Sequence, residues 1–163
     1  MIFTTSTLRD CGELLYGKRW PARLAKRLGV ARSTVGRWRH GKSPLPLRVS
    51  QDIQKVIYAQ WYILFEMERA RERRNFLTAQ GRREPSQMIS DHLDLPKNCQ
   101  RLWGDHWVEG LLQWMNKRMK CTRHTVYRWR DAKIPLPPWL SVEMEKALDD
   151  RLQAFSEMKS QIS

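Results

Sequence analysis

The chain contains one segment twice, and this internal repeat limits its fold more than any other sequence feature. Residues 15–46 and 102–137 share a Leu-aromatic-Gly triplet, a tryptophan three residues later, the pattern Thr-Val-x-Arg-Trp-Arg and a Pro-Leu-Pro turn. The offset between the copies grows from 87 to 91, so the second copy has four extra residues between Trp107 and Met119. Four residues are about one helical turn, so a helix could absorb them without changing the direction in which it faces.

Each copy is followed by a serine and then by apolar residues at helical spacing, after Ser50 and after Ser141, which is typical of a helix start. The sequence has no useful stretch of strand-like alternation. We therefore predict an all-α chain in which each unit has three short helices, a proline-rich turn and a longer helix. The predicted division is an N-terminal unit at 1–77, a linker rich in Gly, Pro and polar residues at 78–96, and a C-terminal unit at 97–163.

Positive charge is concentrated in the N-terminal half. The formal net charge is +13, and residues 1–83 contribute +12 of it because 18 lysines and arginines face six acidic residues there. The remaining residues, 84–163, contribute only +1. Such an excess favours a polyanionic partner and indicates nothing about the fold.

Other composition features narrow the class of protein. The three cysteines have no CxxC spacing and are interpreted as reduced thiols in a bacterial cytoplasm or nucleoid. The start of the chain has no signal-peptide pattern. The longest apolar stretch, 56–67, contains Gln60 and Glu66 and is far short of the roughly 20 residues that cross a bilayer. We therefore predict no membrane association.

Residues 24–38, LAKRLGVARSTVGRW, resemble the helix-turn-helix of Cro and phage-repressor proteins. Ala25 is small where two helices would cross, and Gly29 can adopt the left-handed conformation of the turn. Ser33 and Thr34 can help to start the second helix. The shared core would consist of Leu24, Leu28, Val30, Val35 and Trp38.

The resemblance implies that a recognition helix at about 32–39 enters the major groove of double-stranded DNA. The residues expected to contact base edges are Arg32, Ser33, Thr34 and Arg37. Arginine suits the O6 and N7 atoms of guanine. The residues expected to contact phosphates are Lys18, Arg19, Arg23, Lys26, Arg39 and Lys42.

The second copy departs from this pattern. Matched from its recognition segment backwards, it has Asn116 in place of the small residue and Lys120 in place of the turn glycine. Apolar residues can still form a core, so the fold is expected to persist while DNA binding is in question. A possible second DNA site consists of Thr122, Arg123, His124, Tyr127 and Arg128.

The helix after the first copy has two apolar faces, and both need cover. One face can pack on its own unit. The other is expected to join two chains into a homodimer that binds an inverted repeat, with the second copy of the repeat as the alternative cover. The interface residues would be Tyr58, Trp61, Tyr62 and Phe65.

These features together predict a sequence-specific, double-stranded DNA-binding transcriptional regulator, such as a repressor, of bacterial or phage type. One alternative is an adaptor that binds a protein partner through the C-terminal unit. Another is a single-strand or RNA binder that uses its tryptophans and arginines, although tryptophans that recur at repeat positions favour a core role. The sequence shows no nucleophile–base pair, phosphate loop or metal cluster, so we expect no enzyme activity, no cofactor and no metal.

Overall fold

The computed structural model describes residues 3–81, 94–117 and 119–163, and these residues form helices and no strands. The all-α prediction is therefore confirmed. The helices are α1 Thr5–Tyr16, α2 Trp20–Leu28, α3 Arg32–Arg39, α4 Leu47–Ala79, α5 Asp94–Trp103, α6 Trp107–Met115, α7 Arg123–Arg130 and α8 Trp139–Ile162. No helix in the described ranges is long and apolar enough to span a lipid bilayer.

The order of elements repeats as the sequence does. Three short helices and one long helix occur twice, and a single 3-10 turn precedes both α2 and α6. The Leu-aromatic-Gly triplet marks the same place in each copy, because Gly17 and Gly104 follow the first helix with φ of 66° and 68°. Side chains other than glycine rarely adopt this left-handed region, so the triplet is a stop signal for the helix.

A helix does not absorb the four extra residues. Helices α2 and α6 both have nine residues and begin at matching tryptophans, so the insertion lies in the connection at 116–122. Asn116 therefore occupies the position of Gly29, and the earlier matches of Asn116 and Lys120 shift. Its side-chain Oδ1 accepts a hydrogen bond from the backbone N–H of Cys121 at 3.0 Å, which ties the two ends of the longer connection together.

The chain divides into two compact units within its long helices. Unit 1 consists of Met1–Trp61 and Gln153–Ser163, and unit 2 of Tyr62–Leu152. The predicted linker at 78–96 coincides with the end of α4 and the start of α5, and its residues 82–93 lie outside the described residues. Each unit therefore takes part of its core from both long helices.

The core of unit 1 combines α1, α2, α3 and the first half of α4 with the last turns of α8. Its buried apolar residues include Leu8, Cys11, Trp20, Leu24, Val35, Trp38, Ile53, Ile57, Phe155, Met158 and Ile162. The Cys11 thiol lies 3.3 Å from the sulfur of Met158. Gln54 donates to the carbonyl oxygen of Ile162 at 2.8 Å, and Trp61 Nε1 donates to Ser156 Oγ at 3.0 Å. The end of α8 thus lies antiparallel to the first half of α4.

Unit 2 has a core of the same kind. Its buried apolar residues include Leu64, Met67, Leu95, Cys99, Leu102, Leu111, Met115, Val126, Trp129, Leu140, Met144 and Leu148. Arg71 of α4 forms ion pairs with Glu68 at 2.8 Å and with Asp149 of α8 at 2.6 Å.

The buried cysteines of both units have raised pKa values. Burial raises the pKa of the Cys99 thiol in unit 2. Burial, together with the nearby Asp10, raises the pKa of the Cys11 thiol in unit 1 to about 12. Both thiols therefore stay protonated at neutral pH and are poor nucleophiles.

Candidate nucleic-acid interface

The turn between α2 and α3 has the geometry that its sequence favours. Gly29 adopts a left-handed conformation with φ 65° and ψ 27°, and the N–H of Val30 donates to the carbonyl oxygen of Ala25 at 3.0 Å. Ala25 is buried, as are Val35 and Trp38 on the inner side of α3. Three residues, 29–31, therefore connect two helices that pack on each other.

The outer side of α3 is polar and open. Arg32, Ser33 and Arg37 are exposed, whereas Thr34 is half-buried, so three of the four predicted base-contacting residues are available to a ligand. The N-cap is Ala31, whose methyl group cannot accept a hydrogen bond. The helix has already begun at Arg32 and no side chain caps it, so the expected help of Ser33 and Thr34 in starting it is not seen.

Within the described residues, the cations around α3 have no acidic partner within 4.0 Å. Residues 3–48 contain eleven lysines and arginines but only Asp10 and Glu13 as acids. In the described part of the chain, every ion pair within 4.0 Å lies outside residues 3–48. The exposed cations left without such a pair include Lys18, Arg19, Lys26, Arg32, Arg37, Arg39 and Lys42. Unpaired cations keep their charge available for an external polyanion.

Arg23 differs from the other predicted phosphate contacts. It is half-buried, and its guanidinium donates to the carbonyl oxygen of Tyr16 at 2.7 Å. This bond satisfies a carbonyl at the end of α1, where the backbone lacks a helical partner. The structure therefore gives Arg23 a role within the fold, which its place in a basic segment did not indicate.

The corresponding surface of unit 2 is engaged in contacts of its own. Arg123 pairs with Glu109 at 2.8 Å, and the Thr122 hydroxyl caps α7 by accepting from the N–H of Thr125 at 3.2 Å. Among the five residues of the possible second DNA site, His124 and Arg128 are exposed without such a contact in the described ranges.

Side chains at the end of α7 also contact one another. The guanidinium of Arg130 lies 4.8 Å from the ring centre of Tyr127 and pairs with Asp131 at 2.6 Å. The pKa of Asp131 is lowered, mainly by this hydrogen bond from Arg130. These contacts neutralise part of the α7 surface, so the two units present different electrostatic surfaces.

The four predicted interface residues fall into two pairs. Tyr58 and Trp61 pack against the end of α8, where the ammonium of Lys159 lies 3.6 Å from the Trp61 ring centre. Tyr62 is 58% exposed and Phe65 36% exposed. Phe76, further along α4, is 62% exposed and was not among the predicted residues. Phe76 follows Phe65 by eleven residues, or about three helical turns, which puts the two on the same side of α4, and this spacing could have indicated it.

Comparison with protein-family models, with curated proteins and with solved structures finds no match to the chain. Only the chemistry of the described residues therefore bears on its function.

Proposed function

We propose that the chain is a sequence-specific transcriptional regulator that binds double-stranded DNA through α2, the turn at 29–31 and α3, used as a helix-turn-helix. The observation that carries this proposal is the open basic surface on α3, whose arginines have no acidic partner within the described residues. A helix with its side chains is about 10–12 Å wide and fits the major groove, which is about 12 Å wide.

In this proposal the residues on the exposed side of α3 contact bases, and the cations around it contact phosphates. Arg32, Ser33 and Arg37 contact base edges, and an arginine can form two hydrogen bonds with guanine. Thr34 is half-buried and mainly supports the helix. Phosphates are bound by the surrounding cations, which fix the register of the protein without carrying sequence information. Those cations are Lys18, Arg19, Lys26, Arg39 and Lys42.

Unit 2 supports the fold of the protein more than the reading of DNA in this proposal. Its α7 has the same length as α3, but Arg123 and Arg130 are paired with carboxylates. Leaving those carboxylates for phosphates would cost the existing pairs without a net gain in charge contacts. Unit 1 is therefore assigned the main DNA-binding surface.

We expect Arg37→Ala to weaken binding to the preferred duplex more than binding to random duplex. A base-contacting arginine contributes about 1–3 kcal/mol of discrimination. The preferred duplex is first selected from a random pool, and affinities are then measured by competition with random duplex and with single strands. Arg39→Ala is the control, because loss of a phosphate contact should weaken both duplex affinities equally.

Equal losses for Arg37→Ala would make Arg37 a phosphate contact. If single strands or RNA compete as well as duplex, the single-strand alternative holds. If no nucleic acid binds, the proposal fails and the protein-adaptor alternative becomes the one to test.

The proposal includes a homodimer that binds an inverted repeat, now placed on the exposed part of α4. Tyr62 and Phe65 are the predicted interface residues that keep exposed surface.

We therefore expect light scattering at tens of micromolar to give a dimer for the unaltered protein. Tyr62→Glu combined with Phe65→Glu should give a folded monomer with weaker duplex binding. Trp61→Glu should instead lower the melting temperature, because Trp61 bonds to Ser156 within unit 1. An unaltered monomer that still binds its site would contradict the dimer.

A further inference from the structure

Gly36 lies in the interior of α3, between the buried residues Val35 and Trp38. Apart from its two chain neighbours and the backbone of its own helix, a methyl group built on its Cα would meet no described atom within 4 Å. Its φ is not among the positive values of the chain, so the backbone conformation does not require glycine. Every residue except proline is a better helix former than glycine. Neither the packing nor the backbone of the described residues therefore explains a glycine at this position.

Gly12 in α1, unlike Gly36, is required by the packing around it. A methyl group there would lie 2.5 Å from Cδ2 and Cε3 of Trp20, a distance at which something must shift. The ring of Trp20, which is buried, fills the space that the missing side chain leaves. Gly12 is thus explained by the core of unit 1, whereas Gly36 is not.

The repeat provides a second comparison. The residue that corresponds to Gly36 in α7 is Tyr127, within the shared Thr-Val-x-Arg-Trp-Arg pattern. The Tyr127 ring lies against the guanidinium of Arg130, so a large side chain is compatible with a helix of this sequence and length. The difference between the two positions therefore points to something outside unit 1 that approaches α3 at Gly36.

The surroundings of Gly36 indicate what that something is. Ser33 lies one turn before it and His40 one turn after it on the same side of the helix, and Arg32 and Arg37 flank this side. All four side chains are exposed and can donate hydrogen bonds. At Gly36 no side chain covers the α3 backbone, and arginines lie on either side. Such a surface suits a flat ligand that carries hydrogen-bond acceptors, such as the major-groove edge of a base pair.

We propose that Gly36 is the point of closest approach between the α3 backbone and a base-pair edge of duplex DNA. This inference rests on the proposed function of α3. Glycine allows the backbone to come close to a ligand, and here that approach sets the depth at which Arg32 and Arg37 reach the bases. Gly36 therefore determines specificity because it has no side chain to hold the helix away from the bases.

The test uses Gly36→Ala and Gly36→Leu in the full chain, because both replacements are good helix formers. Each should raise the melting temperature, by about 2–4 °C if the change recovers the ordinary propensity difference. Affinity for the selected duplex should fall about tenfold for alanine and about a hundredfold for leucine, the range of one to two mismatched base pairs. Affinity for random duplex should change less than about twofold, because that complex is held by phosphates.

Gly12→Ala is the control, and it should lower the melting temperature because of Trp20. Unchanged affinity of Gly36→Leu for the selected duplex would overturn the inference, and so would equal losses on selected and random duplex. The proposed function fails separately, when the unaltered protein selects no duplex. If Arg37→Ala loses discrimination while Gly36→Leu does not, only the inference about Gly36 fails.

Discussion

Phe155→Ala is expected to lower the free energy of unfolding by about 3–5 kcal/mol, the usual cost of emptying a fully buried phenylalanine site. Phe155 is completely buried and belongs to unit 1 although it lies in α8. Its loss leaves a cavity in the unit that holds α3. The variant should therefore also lose duplex affinity at temperatures where the unaltered protein binds.

Urea unfolding followed by circular dichroism measures the first effect, and duplex titration over a temperature series measures the second. Phe76→Ala is the matched control. Phe76 is largely exposed, so its removal should change stability by less than about 0.5 kcal/mol, as surface substitutions usually do. Equal stability of the two variants would show that the end of α8 does not complete the core of unit 1.

Raising the salt concentration from 50 to 200 mM should weaken duplex binding by a factor of about 500 for each bound chain. Each of the five exposed cations proposed to contact phosphates should contribute a slope of about −0.9 in log K against log salt, or about −4.5 per chain and about −9 for a bound dimer. Arg23 is left out because it bonds to Tyr16. Fluorescence anisotropy of a labelled duplex at four or more salt concentrations gives the slope.

Two triple variants then show which unit carries the salt dependence. Replacing Lys18, Arg19 and Lys26 by alanine should reduce the slope to about −1.8 per chain, because two of the five proposed contacts remain on each chain. Replacing three exposed lysines of unit 2, at Lys117, Lys120 and Lys133, should leave it unchanged. A similar reduction of the slope by the unit 2 variant would contradict the proposal that unit 1 has the main DNA-binding surface.

Local features of the fold follow well from the sequence. The left-handed Gly29, the buried Ala25 and the buried Val35 and Trp38 are all residues whose type is constrained by immediate neighbours. The location of the four-residue insertion does not follow from helical periodicity, because extra residues can extend a helix or a loop. The buried face of α6 ends at Met115, and only the structure shows that the helix ends with it.

Long-range features are the ones that periodicity leaves open. The two apolar faces of α4 indicate that something covers Tyr58 and Trp61, but either a second chain or the second copy of the repeat satisfied that requirement. The structure covers them with the end of α8. The candidate site also combines predictable and unpredictable features. The exposed side of α3 follows from the spacing of its apolar residues. The pairing of Arg123 with Glu109 instead depends on how α6 and α7 pack.

The contribution of α8 to unit 1 also affects the order in which the protein can become active. The thiol of Cys11 and the sulfur of Met158 are separated by 147 positions in the sequence, and contacts between such distant segments form slowly because a long loop must close first. During synthesis, α1, α2 and α3 emerge early, yet their core lacks Phe155, Met158 and Ile162 until residue 162 has been added. The first helices to be made thus obtain a complete core only when the end of α8 is present, so a nascent or prematurely ended chain exposes these basic helices without a completed core.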